Sequence, residues 1–110
     1  MNYQKGDIIL IPFPFTNQRG AKRRPALIIS DQTVHQTGDV LVVQITSQFY
    51  SDALTEQIHT SDLTYPLPKQ SYIRCHKIFV VEQTLIIGKI SALNPSKYQQ
   101  VIDKILAIIG

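Results

Sequence analysis

Two arginines, a hydroxyl pair and a histidine are the side chains of this sequence best suited to chemistry. Arg24 ends a stretch in which Arg19, Lys22, Arg23 and Arg24 place four cations within six residues. Thr46 and Ser47 close an apolar run, and Arg74 and His76 occupy alternate positions of a later one. Brought together, this set suits a phosphodiester. A guanidinium offers a planar fork that matches two phosphate oxygens and stays charged throughout, so it can stabilise the extra negative charge of a pentavalent transition state. In the absence of a metal-ligand spacing, the simplest route to cleavage is attack by a neighbouring 2′-hydroxyl, which requires RNA and leaves a 2′,3′-cyclic phosphate and a 5′-hydroxyl. His76 has the chemistry of a proton carrier near neutrality, whereas arginine rarely gives up its proton. The bland alternatives are a surface histidine at position 76 and, for Arg74, a cross-strand ion pair with Glu56 or Glu82.

The elements that must position these groups are read from periodicity. Asp7 to Phe13 is continuously apolar after Gly6 and predicts a first strand, ended by Pro14. A long loop, Phe15 to Arg23, follows, with Gly20 supplying backbone freedom. Pro25 holds Arg24 in the extended region and opens a second strand, Pro25 to Ser30, buried on both faces. The polar segment Asp31 to Asp39 turns through Thr37-Gly38-Asp39 into a third strand, Val40 to Thr46, with Leu41, Val43 and Ile45 on one face and Gln44 and Thr46 on the other. Gln48 to Ala53 reads as a loop or short helical turn. Leu54 to Thr60 predicts a fourth strand, and Ser61 to Gln70, with Pro66 and Pro68, a second long loop. Ser71 to Lys77 predicts a fifth strand in which Tyr72, Arg74 and His76 share one face and Ile73 and Cys75 the other. Short strands at Phe79 to Glu82 and Leu85 to Ser91 complete the sheet.

Asn94 as a cap and Pro95 at the first helical position announce a helix running to Ile109. Tyr98, Val101, Ile102, Ile105, Leu106 and Ile109 form its apolar stripe. Several short strands and one amphipathic helix predict a mainly β, α+β domain spanning residues 1–110, with a strongly bent sheet or small barrel closed by the helix.

At 110 residues and 44% hydrophobic, the chain has apolar material for one core. Its formal charge of +3 is unevenly placed: in residues 1–30 Lys5, Arg19, Lys22, Arg23 and Arg24 face Asp7 alone, a net +4, and the other eighty residues carry −1. Such a patch points to a polyanion or an acidic peptide; the alternative is a merely solvated loop. Arg19, Lys22, Arg23 and Ser47 are the candidate contacts to a nucleic-acid backbone. Among the aromatics that could stack on bases (Phe13, Phe15, Phe49, Tyr50, Tyr72), Phe15 and Tyr72 are the candidates. Cys75 is a lone cysteine, which excludes an internal disulfide and reads as a small core residue. His35 and His59 carry no role in this reading, and neither a metal nor a cofactor is expected. No apolar run has the length of a membrane span or the form of an export signal, which predicts a cytoplasmic protein with no membrane partner.

Gly6-Asp7-Ile-Ile-Leu-Ile-Pro-Phe-Pro-Phe15, then Lys22-Arg-Arg-Pro-Ala-Leu-Ile-Ile-Ser30, then Val42-Val-Gln-Ile-Thr-Ser47, Ser71-Tyr-Ile-Arg74 and the C-terminal helix together resemble the MazF/PemK family of toxins from bacterial toxin–antitoxin pairs. The resemblance covers nearly the whole chain. It implies an SH3-like barrel and a toxin that cleaves single-stranded RNA at a short sequence, the activity of an mRNA interferase. It further implies a homodimer with its RNA groove at or near the dimer interface, and a cognate antitoxin whose acidic, flexible C-terminal segment covers that groove. Arg24 and Thr46 match the pair most often held responsible in chromosomal members. Arg74-Cys75 matches plasmid-borne members in which the next position is an aspartate with a proposed acid–base role; here that position is His76, a departure from the pattern. Two other classes compete. A gyrase poison of the CcdB type shares the fold but uses a C-terminal segment containing tryptophan, and this chain has no tryptophan and ends in Ile-Ile-Gly110. In a non-catalytic SH3-like binding module, the coincidence of Arg24, Thr46 and Arg74 would be accidental. The two long loops are expected to set sequence specificity.

Overall fold

The computed structural model describes residues 2–13 and 22–110. Phe15, Arg19, Gly20 and most of the first long loop lie outside the described residues. The strands are β1 (Asp7–Phe13), β2 (Lys22–Ile28), β3 (Asp39–Thr46), β4 (Thr55–Ile58), β5 (Ser71–Glu82) and β6 (Gly88–Ala92), with helices α1 (Gln32–His35) and α2 (Pro95–Ile109). They form one antiparallel sheet in the order β4-β5-β3-β2-β1-β6. Its two edges meet. After β4 the chain crosses to β6, where Leu63 bridges Leu93, Thr64 N–H donates to the Ala92 carbonyl at 2.9 Å, and Asn94 N–H donates to the Asp62 carbonyl at 2.8 Å. These bonds satisfy part of the backbone that an open edge would expose, and they curl the sheet into the expected small barrel.

The alternating pleat gives two apolar clusters. Ile8, Leu27, Val43, Ile45, Ile73 and Cys75 face Val101 and Ile105 of α2. On the other face Ile9, Ile11, Ala26, Ile28, Val40 and Val42 gather with Tyr3 and Val81. Each fully buried aliphatic side chain contributes about 1.5–3 kcal/mol relative to exposure, so both faces hold the sheet in register. Gly6 makes the opening turn at φ +93°, and a Cβ there would meet the Leu93 carbonyl and the Tyr98 ring at 3.7 Å.

β1 and α2 have the bounds read from sequence. The Asn94 carboxamide oxygen accepts from Lys97 N–H at 2.7 Å, completing the cap. The apolar stripe is narrower than expected: Val101 and Ile105 are buried, but Leu106 and Ile109 are exposed. Other elements differ. β2 starts at Lys22 instead of Pro25, because β1 offers it a partner as far as Phe13. Pro25 is tolerated mid-strand because pairing with β3 covers only Ala26–Ile28, so the β3 side of Pro25 has no ladder to break. The two strands expected over residues 71–82 are one. β5 advances from Ile73 to Ile78 while β3 moves only from Ile45 to Val43, and this bulge absorbs the break in pattern without ending the strand. A 3₁₀ turn at Gln83–Leu85 delays β6 to Gly88, and β4 is trimmed to Thr55–Ile58 by a second 3₁₀ turn at Thr60–Asp62. The polar segment before β3 contains α1, capped by Asp31.

Candidate functional site

Thr46 and Arg24 line the same cavity, at the ends of β3 and β2. The β2–β3 register pairs Ala26 with Gln44, and continuing it two residues places Arg24 opposite Thr46. The ladder stops short of that point. Beyond Ala26 the two strand ends splay around a cavity of about 260 Å³, with Arg23, Arg24, Thr46 and Ser47 on its walls. Leu10, Pro25, Ile45 and Ile90 supply an apolar lining, and Leu67, Pro68 and Lys69 of the second long loop close one side. Apolar walls lower the local dielectric and strengthen the field of the arginines at the mouth.

Thr46 is buried, and its Oγ1 accepts from Gln48 N–H at 3.1 Å. That bond turns the chain sharply after β3, so Ser47 is exposed beside it, and leaves the Thr46 hydroxyl proton available to a ligand. Arg24 is half-buried, while Lys22 and Arg23 are exposed.

Tyr72 is the β5 partner of Thr46, and directly opposed residues share a face, so Arg24, Thr46, Tyr72 and Arg74 all belong to one face of the sheet. Tyr72 is half-buried, its ring in edge contact with Phe49 at 5.6 Å and 65°. Arg74 is not a cavity wall. The ion pair weighed as the alternative to a functional role, with Glu56 or Glu82, is not made: Glu82 stands opposite Asp39 at the far end of β5, and Glu56 is held by Lys97 and Lys104 of α2 at 3.1 and 2.9 Å. Arg74 instead binds Asp52, Nη1 to Oδ2 at 2.9 Å, because the turn after Thr46 folds the β3–β4 loop over it. The Asp52 carboxyl is lowered below its usual range, chiefly by the hydrogen bond from Arg74.

His76 lies in the bulge of β5, exposed, with no side-chain hydrogen bond among the described residues, and is not a cavity wall. Cys75 is fully buried, and burial pushes its thiol up, as an inert core residue requires. His35, read as a polar turn residue, is buried at the end of α1, with Nε2 2.8 Å from Ser30 Oγ. Sequence reasoning did not place Lys69, Ser71 or Asp52 near the site. The paired prolines of the second long loop were the available signal for Lys69; nothing in the spacing of Asp52 pointed to Arg74. Among the described residues no three of His, Cys, Asp and Glu gather as metal donors, and no helix is long and apolar enough to cross a membrane.

Several solved structures share this fold. The chain is similar to an endoribonuclease in complex with its cognate antitoxin from a Mycobacterial species, with a TM-score of 0.80 at 15% identity over 99% of this chain and 96% of that one. It is similar to MazF of a MazE–MazF crystal structure from Deinococcus radiodurans, at 0.79 and 17% over 98% and 96%. It is also similar to the Mycobacterium tuberculosis toxin MazF-mt6, at 0.71 and 19% over 90% and 91%. Identities this low establish the fold alone. A comparison with curated protein sequences finds no match. The family evidence comes from the sequence itself: residues 4–109 match the PemK-like, MazF-like toxins of type II toxin–antitoxin systems, and the chain belongs to that family.

Proposed function

We propose that this toxin is an endoribonuclease that cleaves single-stranded RNA by attack of the 2′-hydroxyl on the adjacent phosphorus. The observation that supports the reading is that Arg24 and Thr46, at the ends of β2 and β3, line one cavity. The new bond is 2′-O to P and the broken one is P to 5′-O. One proton leaves the 2′-hydroxyl and one reaches the departing 5′-oxygen. Arg24 and Arg74 stabilise charge on the phosphorane, and Thr46 donates its hydroxyl proton to a non-bridging oxygen. His76, exposed in the bulge, is the candidate proton carrier.

Arg19, Lys22, Arg23 and Ser47 hold the flanking backbone, and Phe15 and Tyr72 stack on bases. The toxin domain spans residues 1–110, acts in the cytoplasm as a homodimer, and is silenced by an antitoxin whose acidic segment competes for the same cations. Support for those partners comes from the family's place in toxin–antitoxin systems and from the complexed relatives.

Incubating purified protein with a long RNA in EDTA and mapping the product ends tests the reading. Cyclic phosphate and 5′-hydroxyl ends at a short recurring sequence are expected. Intact RNA, or 5′-phosphate ends, would sink it.

A further inference from the structure

The loop between β3 and β4 folds back on Arg74 in a particular way. Nη1 donates to Asp52 Oδ1 and Oδ2 at 3.1 and 2.9 Å and to Thr55 Oγ1 at 2.7 Å. The guanidinium carbon lies 3.9 Å from the centre of the Tyr50 ring. Three acceptors thus crowd one nitrogen while an aromatic face supports the plane. Nε and Nη2 form no hydrogen bond among the described residues. That second edge carries two parallel N–H donors, the arrangement that matches two oxygens of one phosphate.

Asp52 is itself fixed. Its Oδ1 accepts from Leu54 N–H at 3.0 Å and from Thr55 Oγ1 at 2.9 Å, so the carboxylate belongs to a turn, and Thr55 is the β4 partner of Arg74. The long arginine side chain is therefore anchored from the neighbouring strand and loop, with its side chain only 11% exposed.

We propose that Asp52 is a positioning residue for the nuclease reaction: with Tyr50 and Thr55 it clamps Arg74 through Nη1 alone and presents the Nε–Nη2 edge, already oriented, to a substrate phosphodiester. This rests on the reading that Arg74 contacts the RNA. Orientation that is already in place costs nothing when the substrate arrives, which is why a carboxylate beside a phosphate-binding arginine can favour catalysis despite sharing its charge. The ion pair is partly exposed on the Asp52 side, so it contributes little to stability, and its loss should be felt in rate first.

The test compares wild type, Asp52→Asn, Arg74→Ala and the double variant in steady-state cleavage of a short oligoribonucleotide. A second arm records the ¹⁵N–¹H signals of the Arg74 side chain. Asparagine keeps an Oδ1 for the turn, removes the charge and replaces Oδ2, the nearer carboxylate acceptor of Nη1, with an amide donor. Asp52→Asn is expected to lower kcat/KM on the order of tenfold, mainly through kcat, and to add nothing to Arg74→Ala. In the second arm the Nη signals should be resolved in wild type and averaged in Asp52→Asn, and an oligonucleotide with a 2′-deoxy at the scissile position should shift Nε more than Nη1. A faster Asp52→Asn enzyme would show that Asp52 competes with the phosphate, and losses that multiply in the double variant would show that it acts apart from Arg74; either overturns the proposal. An Arg74→Ala enzyme as active as wild type overturns the role of Arg74 and the clamp's purpose with it. A wild-type chain that cleaves no RNA defeats the nuclease reading instead; the clamp then rests on the second arm, where Nη signals unchanged by Asp52→Asn overturn it.

Discussion

Arg24 lies on β2 opposite Ile11 of β1 and on the wall of the cavity, where its charge contributes to the field. Arg24→Ala is expected to fold normally and to cleave RNA on the order of a hundredfold more slowly, the usual cost of a lost donor to developing charge. Arg24→Lys should not restore the rate, because a point charge lacks the two-pronged geometry. Full activity in the lysine variant would mean that the site needs charge and no fork. His76 differs in kind. It is exposed and makes no side-chain hydrogen bond among the described residues, so removing it disturbs no packing. His76→Gln should slow cleavage while leaving binding of a non-cleavable oligonucleotide nearly unchanged. An unaltered rate would make it an ordinary surface residue and return proton transfer to Arg24, Thr46 or solvent.

At the scale of elements, α2 is fastened to the barrel by charge as well as by Val101 and Ile105. Lys97 is buried, and its Nζ lies 3.1 Å from Glu56 of β4, while Lys104 reaches the other Glu56 oxygen at 2.9 Å. Burial pushes the Glu56 carboxyl up, but the hydrogen bonds from Lys104 and Lys97 outweigh it and hold the group below its ordinary value of 4.5. A carboxyl depressed by folding contributes stability above its unfolded value, and that stability is lost as pH falls through the folded one. Glu56→Gln should therefore cost about 2 kcal/mol near neutrality, where it leaves Lys97 buried with only Asp62, 3.8 Å away, as an anionic partner. Thermal melts of the two proteins should converge as pH drops below 4.5. A gap that stays constant from pH 7 to pH 3 would show that the bridge does not carry the effect. Asn94→Ala, which removes the α2 cap, should cost about 1 kcal/mol at every pH.

For the molecule as a whole, the proposed nucleophile belongs to the substrate. A single deoxyribose on the 5′ side of the scissile phosphate should block cleavage there, and DNA of the same sequence should survive. Equal cleavage of the two substrates would remove the 2′-hydroxyl from the mechanism. The proposed homodimer has a simple check as well. Leu85, Ile87, Leu106, Ile108 and Ile109 are large apolar side chains left exposed on the isolated chain, and sedimentation at micromolar concentration should give twice the 12.5 kDa of one chain. A monomer at that concentration would count against a groove built from two copies.

What the sequence determined by itself was set by local physics. Continuous apolar runs marked β1 and β3 to within a residue, an asparagine cap and a proline delimited α2, and alternation put Thr46 opposite in facing to Ile45 and Cys75 in the core. The family was legible for the same reason, since its blocks are short and contiguous. Tertiary structure alone decided whatever depended on pairing. Periodicity broke at the β5 bulge and read as two strands, because inserted residues are indistinguishable from a strand end until a partner is known. The start of β2 depended on how far β1 extended beside it, not on Pro25. Arg74 found Asp52, 22 positions away, instead of Glu56, because a turn capped by Thr46 carried that carboxylate over the sheet while α2 lysines claimed the other. Charge partners are chosen by three-dimensional proximity, and one-dimensional spacing carries that information only within a single element.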